Sequence, residues 1–80
     1  MFRRSKAASA RAPQHSAEDW VAKGAELLDT DLEAAERCYR KGLELDPSMS
    51  AAWFDLGLIA KWRHEWADCI TFNRRASSLR

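Results

Sequence analysis

The chain has 80 residues, of which 31% are charged, and its formal net charge is +1 at pH 7. This length forms one small domain with little room for an enclosed active site, and a charge near zero provides no broad field for nucleic acid. The lack of an apolar run of about 18 residues, and of an apolar stretch after the first bases, argues against a membrane span and a secretory signal and predicts a cytoplasmic protein.

Residues 1–15 form a basic segment with four bases, no acid and Pro13. Its only large apolar residues are Met1 and Phe2, so the segment cannot bury enough surface to offset the entropy of ordering. We expect a disordered tail, followed by a helical domain over residues 16–80. Two alternatives for the tail are an organellar transit peptide, which has a similar Arg- and Ser-rich composition, and a binding segment for nucleic acid or an anionic membrane.

Ser16 is predicted to begin the first helix. Asp19 lies three residues later, and the pair matches the capping box, in which two side chains bond reciprocally to free backbone N–H groups. Trp20, Gly24 and Leu27 then recur at helical spacing until a polar turn at residues 29–31.

The second helix is predicted to start in that turn, where Thr30 and Glu33 form another capping-box pattern. It continues through Ala35 and Tyr39 to Pro47, which lacks an amide hydrogen and disfavours helical geometry in the residue before it. We therefore expect the first pair of helices to end near residue 47.

Ser48 or Ser50 is expected to cap the third helix. The fourth helix follows a turn that contains His64. The apolar face of the third helix comprises Trp53, Leu56, Gly57 and Ala60, and that of the fourth comprises Trp66, Cys69, Ile70, Phe72, Ala76 and Leu79.

The two halves of the chain repeat each other. Trp20 and Gly24 recur 33 residues later as Trp53 and Gly57. The following helices match at an offset of 34, with Ala35, Tyr39 and Gly42 opposite Cys69, Asn73 and Ala76. A period in the low thirties is typical of stacked helical hairpins. Because the offset changes between Gly24 and Ala35, we place a one-residue deletion in the first turn.

This pattern resembles the tetratricopeptide repeat, in which Trp-x2-Leu-Gly-x2-Tyr is followed by Ala, an aromatic residue, Ala and Pro. Lys23, Leu27 and Ala60 depart from it. The helix-packing signature comprises Trp20, Gly24, Ala35, Tyr39, Pro47, Trp53, Leu56, Gly57, Cys69 and Ala76. The resemblance implies an all-α fold with repeats at about 17–49 and 50–80, in which two antiparallel hairpins stack as a short right-handed solenoid.

The small residues in this pattern have a physical role. Glycine and alanine remove side-chain bulk where helix axes approach to about 8–10 Å, while tryptophan and tyrosine fill the adjoining space. A glycine inside a helix costs about 0.5–1 kcal/mol relative to alanine. Gly24 and Gly57 are therefore expected at close helix contacts that offset this cost.

The resemblance also implies a function, because the first helices of such repeats line a concave groove. The equivalent positions here are Phe54, Leu58, Lys61 and Trp62, beside Val21 and Ala25 of the first repeat. Phe54, Leu58 and Trp62 form an i, i+4, i+8 stripe that could anchor a partner's helix or peptide. The alternative is that the stripe packs against the rest of a solenoid or another copy of the chain.

No residue arrangement typical of catalysis or metal binding occurs in the sequence. His15, His64, Cys38 and Cys69 lack the paired spacing of zinc ligands, and two cysteines so far apart form no disulfide framework. No nucleophile elbow or glycine-rich loop is present. We predict a non-enzymatic protein with no cofactor and no metal.

The fourth helix is predicted to leave an open edge, because no further helix in the sequence covers Ile70, Phe72 or Leu79. We therefore expect a protein-protein interaction module or scaffold, either part of a longer repeat array or docked on a protein partner. The alternative is a structural element that forms homo-oligomers through its C-terminal helix.

Overall fold

A computed structural model describes residues 16–79 of the chain. This part contains four helices and no strand: α1 (Ala17–Leu27), α2 (Leu32–Leu45), α3 (Ser50–Trp62) and α4 (Trp66–Ser78). The predicted all-α class is confirmed for these residues. The predicted disordered tail, residues 1–15, lies outside them.

The helices pack as two antiparallel pairs. Extensive contacts join α1 to α2 and α3 to α4, which we call hairpin 1 and hairpin 2, and fewer contacts join α2 to α3. The antiparallel direction follows from the glycines of hairpin 1. Gly24, late in α1, lies against Ala35 early in α2, whereas Gly42, late in α2, lies against Ala17 at the start of α1.

The helix boundaries reproduce the two offsets of the sequence repeat. The first helices of the hairpins begin at Ala17 and Ser50, 33 residues apart, and the second helices begin at Leu32 and Trp66, 34 residues apart. The missing residue therefore lies between the start of α1 and the start of α2. Every position in hairpin 1 has an equivalent in hairpin 2, found by adding 33 in the first helix and 34 in the second.

Of the three predicted helix caps, the first is confirmed and the other two are wrong. Ser16 and Asp19 form the predicted capping box, with the Asp19 N–H donating to Ser16 Oγ at 3.1 Å and the Ser16 N–H donating to Asp19 Oδ2 at 3.2 Å. The cap of α2, however, is Asp31 and not Thr30. The Ala34 N–H donates to Asp31 Oδ1, while the Thr30 hydroxyl donates backwards to the Leu27 carbonyl.

The predicted serine cap of α3 is also wrong. Met49 occupies the cap position without a side-chain hydrogen bond, and Ser50 is already the first helical residue. Ser48 instead bonds to Asp46, which accepts from both the backbone N–H and the hydroxyl of Ser48 at 3.0 and 2.6 Å. These bonds hold the pKa of Asp46 below its usual range. Ser48 therefore stabilises the linker between α2 and α3 and does not cap α3.

The turn between α3 and α4 places His64, as predicted, between the helices. Its φ of 61° lies in the left-handed region. The His64 N–H donates to the Lys61 carbonyl at 3.0 Å and the Glu65 N–H donates to the Ala60 carbonyl at 2.8 Å, the two bonds of a Schellman motif. The imidazole stacks on Trp66, with ring centroids 5.5 Å apart.

The buried core lies between α2 and α3. Its cluster comprises Ala35, Tyr39 and Leu43 from α2 with Ala52, Leu56 and Ile59 from α3. Trp53 and Phe72 pack against it, with their ring centroids 6.0 Å apart. The core therefore joins the second helix of hairpin 1 to the first helix of hairpin 2, and both hairpins depend on it.

Candidate functional site

Several residues of the predicted helix-packing signature lie where helices come close, and Pro47 lies in the linker between α2 and α3. A Cβ atom added to Gly24 would come within 3.0 Å of the Tyr39 ring, and one added to Gly57 would come within 2.9 Å of Asn73 Oδ1. The indole N–H of Trp53 donates to the Pro47 carbonyl at 2.8 Å, which ties α3 to the linker before it. Ala35, Tyr39, Leu56 and Ala76 are buried, while Trp20, Trp53 and Cys69 are half-buried.

One face of hairpin 1 is covered by α3. Ala35 and Tyr39 are completely buried and Leu43 nearly so, because Ala52, Leu56 and Ile59 of α3 pack with them in one cluster. Leu32, at the start of α2, and Val21, on α1, pack against the same cluster. We call this the covered face.

The equivalent residues of hairpin 2 are uncovered in the described part of the chain. Positions 35, 39 and 43 correspond to Cys69, Asn73 and Ser77, of which the first is half-buried and the others are exposed. Three large apolar residues on or beside this surface are more than half exposed: Phe54 at 57%, Ile70 at 56% and Trp66 at 55%. We define the open face as Phe54, Leu58, Trp66, Ile70, Asn73 and Ser77.

Two adjoining grooves run along the open face between α3 and α4. Phe54 lines both of them. The first groove is completed by Ser50, Ala51, Asn73, Ala76 and Ser77, and the second by Gly57, Leu58, Lys61, Cys69 and Asn73. Lys61 is the only charged residue among these lining residues, so the surface presents apolar and polar contacts with a basic rim.

The structure groups the predicted groove residues differently from the repeat alignment. Phe54, Leu58 and Lys61 lie together, but their neighbours across the groove are residues of α4. Val21 instead lies against Gly42 and packs on the core, while Ala25 is exposed. Trp62 is 48% exposed at the end of α3.

An ion pair joins α3 to the covered face of hairpin 1. Arg63, just after α3, donates from Nη1 to Glu36 Oε1 at 2.6 Å, and Arg40 donates from Nε to Glu36 Oε2 at 2.9 Å. The bond from Arg63 is the main reason that the pKa of Glu36 lies below its usual range, and it raises the pKa of Arg63 in turn. The pair fixes the end of α3 on α2.

A second carboxylate, that of Asp55 on α3, lies near the buried Tyr39. Burial raises the pKa of Asp55, and burial together with the nearby Asp55 charge raises the pKa of Tyr39 well above its usual range. Among the described residues the buried Tyr39 hydroxyl has no formed hydrogen bond. Its interaction with the Asp55 carboxylate is therefore electrostatic.

Several residues of the open face were not predicted as binding residues. The sequence places Ile70 on an uncovered helix edge, but helical spacing alone does not link Trp66, Asn73 and Ser77 to Phe54 and Leu58. The offset of 34 could have identified them. Trp66, Asn73 and Ser77 correspond to Leu32, Tyr39 and Leu43, which lie on the covered face of hairpin 1. Phe72, expected at the open edge, instead packs on Trp53 and the core.

Residues 16–79 contain no group of three or more histidine, cysteine or acidic side chains placed to hold a metal ion. None of the helices in this part of the chain is both long enough and apolar enough to cross a bilayer. Comparison with protein families, with characterised proteins and with solved structures found no match for this chain.

Proposed function

We propose that this chain is a non-catalytic protein-interaction module of the tetratricopeptide type, which binds a protein partner through the open face. The observation that carries the proposal is the unequal cover of two equivalent surfaces. Hairpin 1 buries Ala35 and Tyr39 under α3, whereas hairpin 2 leaves Phe54, Trp66 and Ile70 more than half exposed. Exposed apolar groups grouped on one surface of a small domain favour a binding role.

The charge of the open face favours a different protein over a second copy of the chain. Lys61 lines one groove, and Arg74 follows Asn73 on α4 without an ion pair among the described residues. Two open faces brought together by a two-fold axis would place these bases near one another with no carboxylate in the groove lining. A partner with acidic residues around an apolar contact would avoid this repulsion.

Site-specific photo-cross-linking in cells tests the proposal. A photoreactive amino acid at Ile70 is expected to form adducts with another protein, and adding Phe54→Asp is expected to remove them. The matched control carries the photoreactive group at Thr71, which is exposed on the same helix outside the open face. An adduct at twice the mass of the chain would support homo-oligomerisation instead, and equal adducts from both positions would contradict a specific surface.

Sedimentation at two concentrations is a second test, which distinguishes binding of a different protein from homo-oligomerisation. A concentration-independent monomer is expected, because the rim of the open face is basic. A dimer that dissociates on dilution and is lost in Phe54→Asp would contradict the proposal and favour the structural oligomerisation role.

A further inference from the structure

Glu36 acts as the electrostatic contact between hairpin 1 and its covering helix. It accepts hydrogen bonds from Arg63, at the end of the covering helix α3, and from Arg40, one turn later on α2. The Glu36 side chain is 24% exposed and that of Arg63 is 27% exposed. A charge-assisted bond at this level of burial contributes to the choice of covering helix.

The equivalent of Glu36 on hairpin 2 is Ile70, which is 56% exposed. The replacement removes the carboxylate that would hold an arginine of a covering helix. It also leaves Arg74, the equivalent of Arg40, without an acid one turn before it. Among residues 16–79, Arg74 makes no ion pair.

The difference between Glu36 and Ile70 changes which side chain a covering helix can place against the surface. A helix that covered the open face as α3 covers hairpin 1 would place the equivalent of Arg63 beside Ile70. An arginine there would lose water and find no carboxylate, which is unfavourable. An aliphatic residue would remove the apolar surface of Ile70 from water, which is favourable.

We propose that Ile70 is a specificity-determining residue, which makes the open face select a partner's amphipathic helix with an aliphatic residue where α3 carries Arg63. The rest of that helix repeats the spacing of Ala52, Leu56 and Ile59, through which α3 packs on the core. The inference rests on the proposed function, since it specifies the partner of the same surface. Asn73 and Ser77 are more polar than their equivalents Tyr39 and Leu43. The apolar stripe of the partner helix is therefore expected to end opposite these two residues.

The test uses two labelled synthetic peptides and measures their binding to the full chain by fluorescence anisotropy. Both peptides contain residues 49–64 with blocked ends, one with the natural Arg63 and one with Arg63→Leu. The natural chain is expected to bind the leucine peptide about tenfold more tightly, a ratio typical of one well-placed buried contact. The Ile70→Glu chain is expected to reverse the preference, because it restores the carboxylate of hairpin 1.

Thr71→Glu is the matched control, since it adds the same charge to the same helix outside the open face. This variant is expected to keep the preference of the natural chain for the leucine peptide. Helix content and thermal melting of each variant establish that it is folded, and Ile70 is exposed enough to accept glutamate without loss of core packing.

The outcomes separate the inference from the proposed function. Equal binding of the two peptides, unchanged by Ile70→Glu but abolished by Phe54→Asp, would overturn the role of Ile70 and leave the open face as a docking surface. Absence of binding by either peptide would overturn the inference and count against helix docking on the open face. A preference that Thr71→Glu reverses as effectively as Ile70→Glu would show a general charge effect and overturn the inference.

Discussion

Hairpin 1 and hairpin 2 have the same helical framework, but their equivalent surfaces differ in burial and in charge. In hairpin 2, Leu56 is 2% exposed because it packs against α2, whereas its equivalent in hairpin 1 is the exposed Lys23. A groove on the outer side of hairpin 1 is lined by the bases Lys23, Arg37 and Lys41 together with Trp20, Leu27, Ala34 and Cys38. The groove on the outer side of hairpin 1 thus carries three bases beside its apolar residues, whereas the grooves of the open face carry one base, Lys61.

Equivalent positions in the two hairpins carry residues that match what covers each position. Tyr39 fills space under α3, while Asn73 at the same place on hairpin 2 faces solvent. Glu36 binds the covering helix, while Ile70 has no such helix in the described part of the chain. Substitutions at paired positions should therefore have unequal effects.

The largest expected difference is between Tyr39→Ala and Asn73→Ala. Removal of the fully buried Tyr39 ring leaves a cavity between α2 and α3 and is expected to reduce the free energy of unfolding by about 3–5 kcal/mol. Asn73→Ala is expected to change it by less than about 0.5 kcal/mol, as for exposed sites in general. Urea unfolding of both variants measures the difference, and equal losses would mean that Asn73 supports the core as Tyr39 does.

The glycines provide the next comparison. The Cβ of Gly24→Ala meets the buried Tyr39 ring at 3.0 Å and the Ala35 carbonyl at 3.2 Å, so a loss of about 1–3 kcal/mol is expected. The Cβ of Gly57→Ala meets Oδ1 at the far end of the exposed Asn73 side chain at 2.9 Å, and this end can move aside at the cost of only its weak bond to Cys69 Sγ. Because alanine favours helix by about 1 kcal/mol over glycine, this variant is expected to be neutral or slightly more stable. Thermal melting of both variants decides the matter, and a larger loss at Gly57 would be inconsistent with this view of hairpin 2.

Glu36→Gln is expected to reduce the free energy of unfolding by about 1–2 kcal/mol at pH 7, because it weakens the bonds from Arg63 and Arg40. The folded pKa of Glu36 is lowered, so its contribution is present above the ordinary glutamate pKa and is lost as the pH falls through the folded pKa. The natural chain should therefore lose this advantage over the variant between about pH 5 and pH 3. Ile70→Gln serves as the control at the equivalent position and should show no such pH dependence.

The smallest expected effect concerns Asp55. Burial raises its folded pKa, so it stabilises the fold at low pH and this contribution is lost as the pH rises through the folded pKa. Asp55→Asn is therefore expected to be more stable than the natural chain at pH 7, by up to roughly 1 kcal/mol, and to lose this advantage near pH 3. Asp68→Asn, at an exposed position on α4, is the control. An advantage for Asp55→Asn that grew toward low pH would contradict the assigned direction of the shift.

Much of the fold could be predicted because its signals are local. The capping box at Ser16, the helical spacing of Trp20 and Gly24, and the break before Pro47 each depend on a few neighbouring residues. The caps of α2 and α3 could not be predicted in the same way. Thr30, Asp31, Ser48 and Ser50 are all suitable cap residues, and the choice depends on competing bonds to Leu27 and Asp46.

The candidate site was predictable only in part. The spacing of Phe54 and Leu58 placed them on one side of α3, since helical periodicity determines which residues share a face. Periodicity does not determine which helix lies opposite. The repeat alignment predicts Val21 and Ala25 beside this stripe, but the groove is completed by Cys69 and Asn73 of α4.

Four helices, their pairing into two similar hairpins and the small residues at their contacts can be predicted from the sequence, because they follow from helical period and side-chain size. Which of the two equivalent faces is buried cannot be predicted in this way. That choice depends on the position of α3, whose packing against α2 covers Ala35 and Tyr39. It leaves Phe54, Trp66 and Ile70 uncovered in the described part of the chain, because the side of α3 that packs on hairpin 1 cannot also cover hairpin 2.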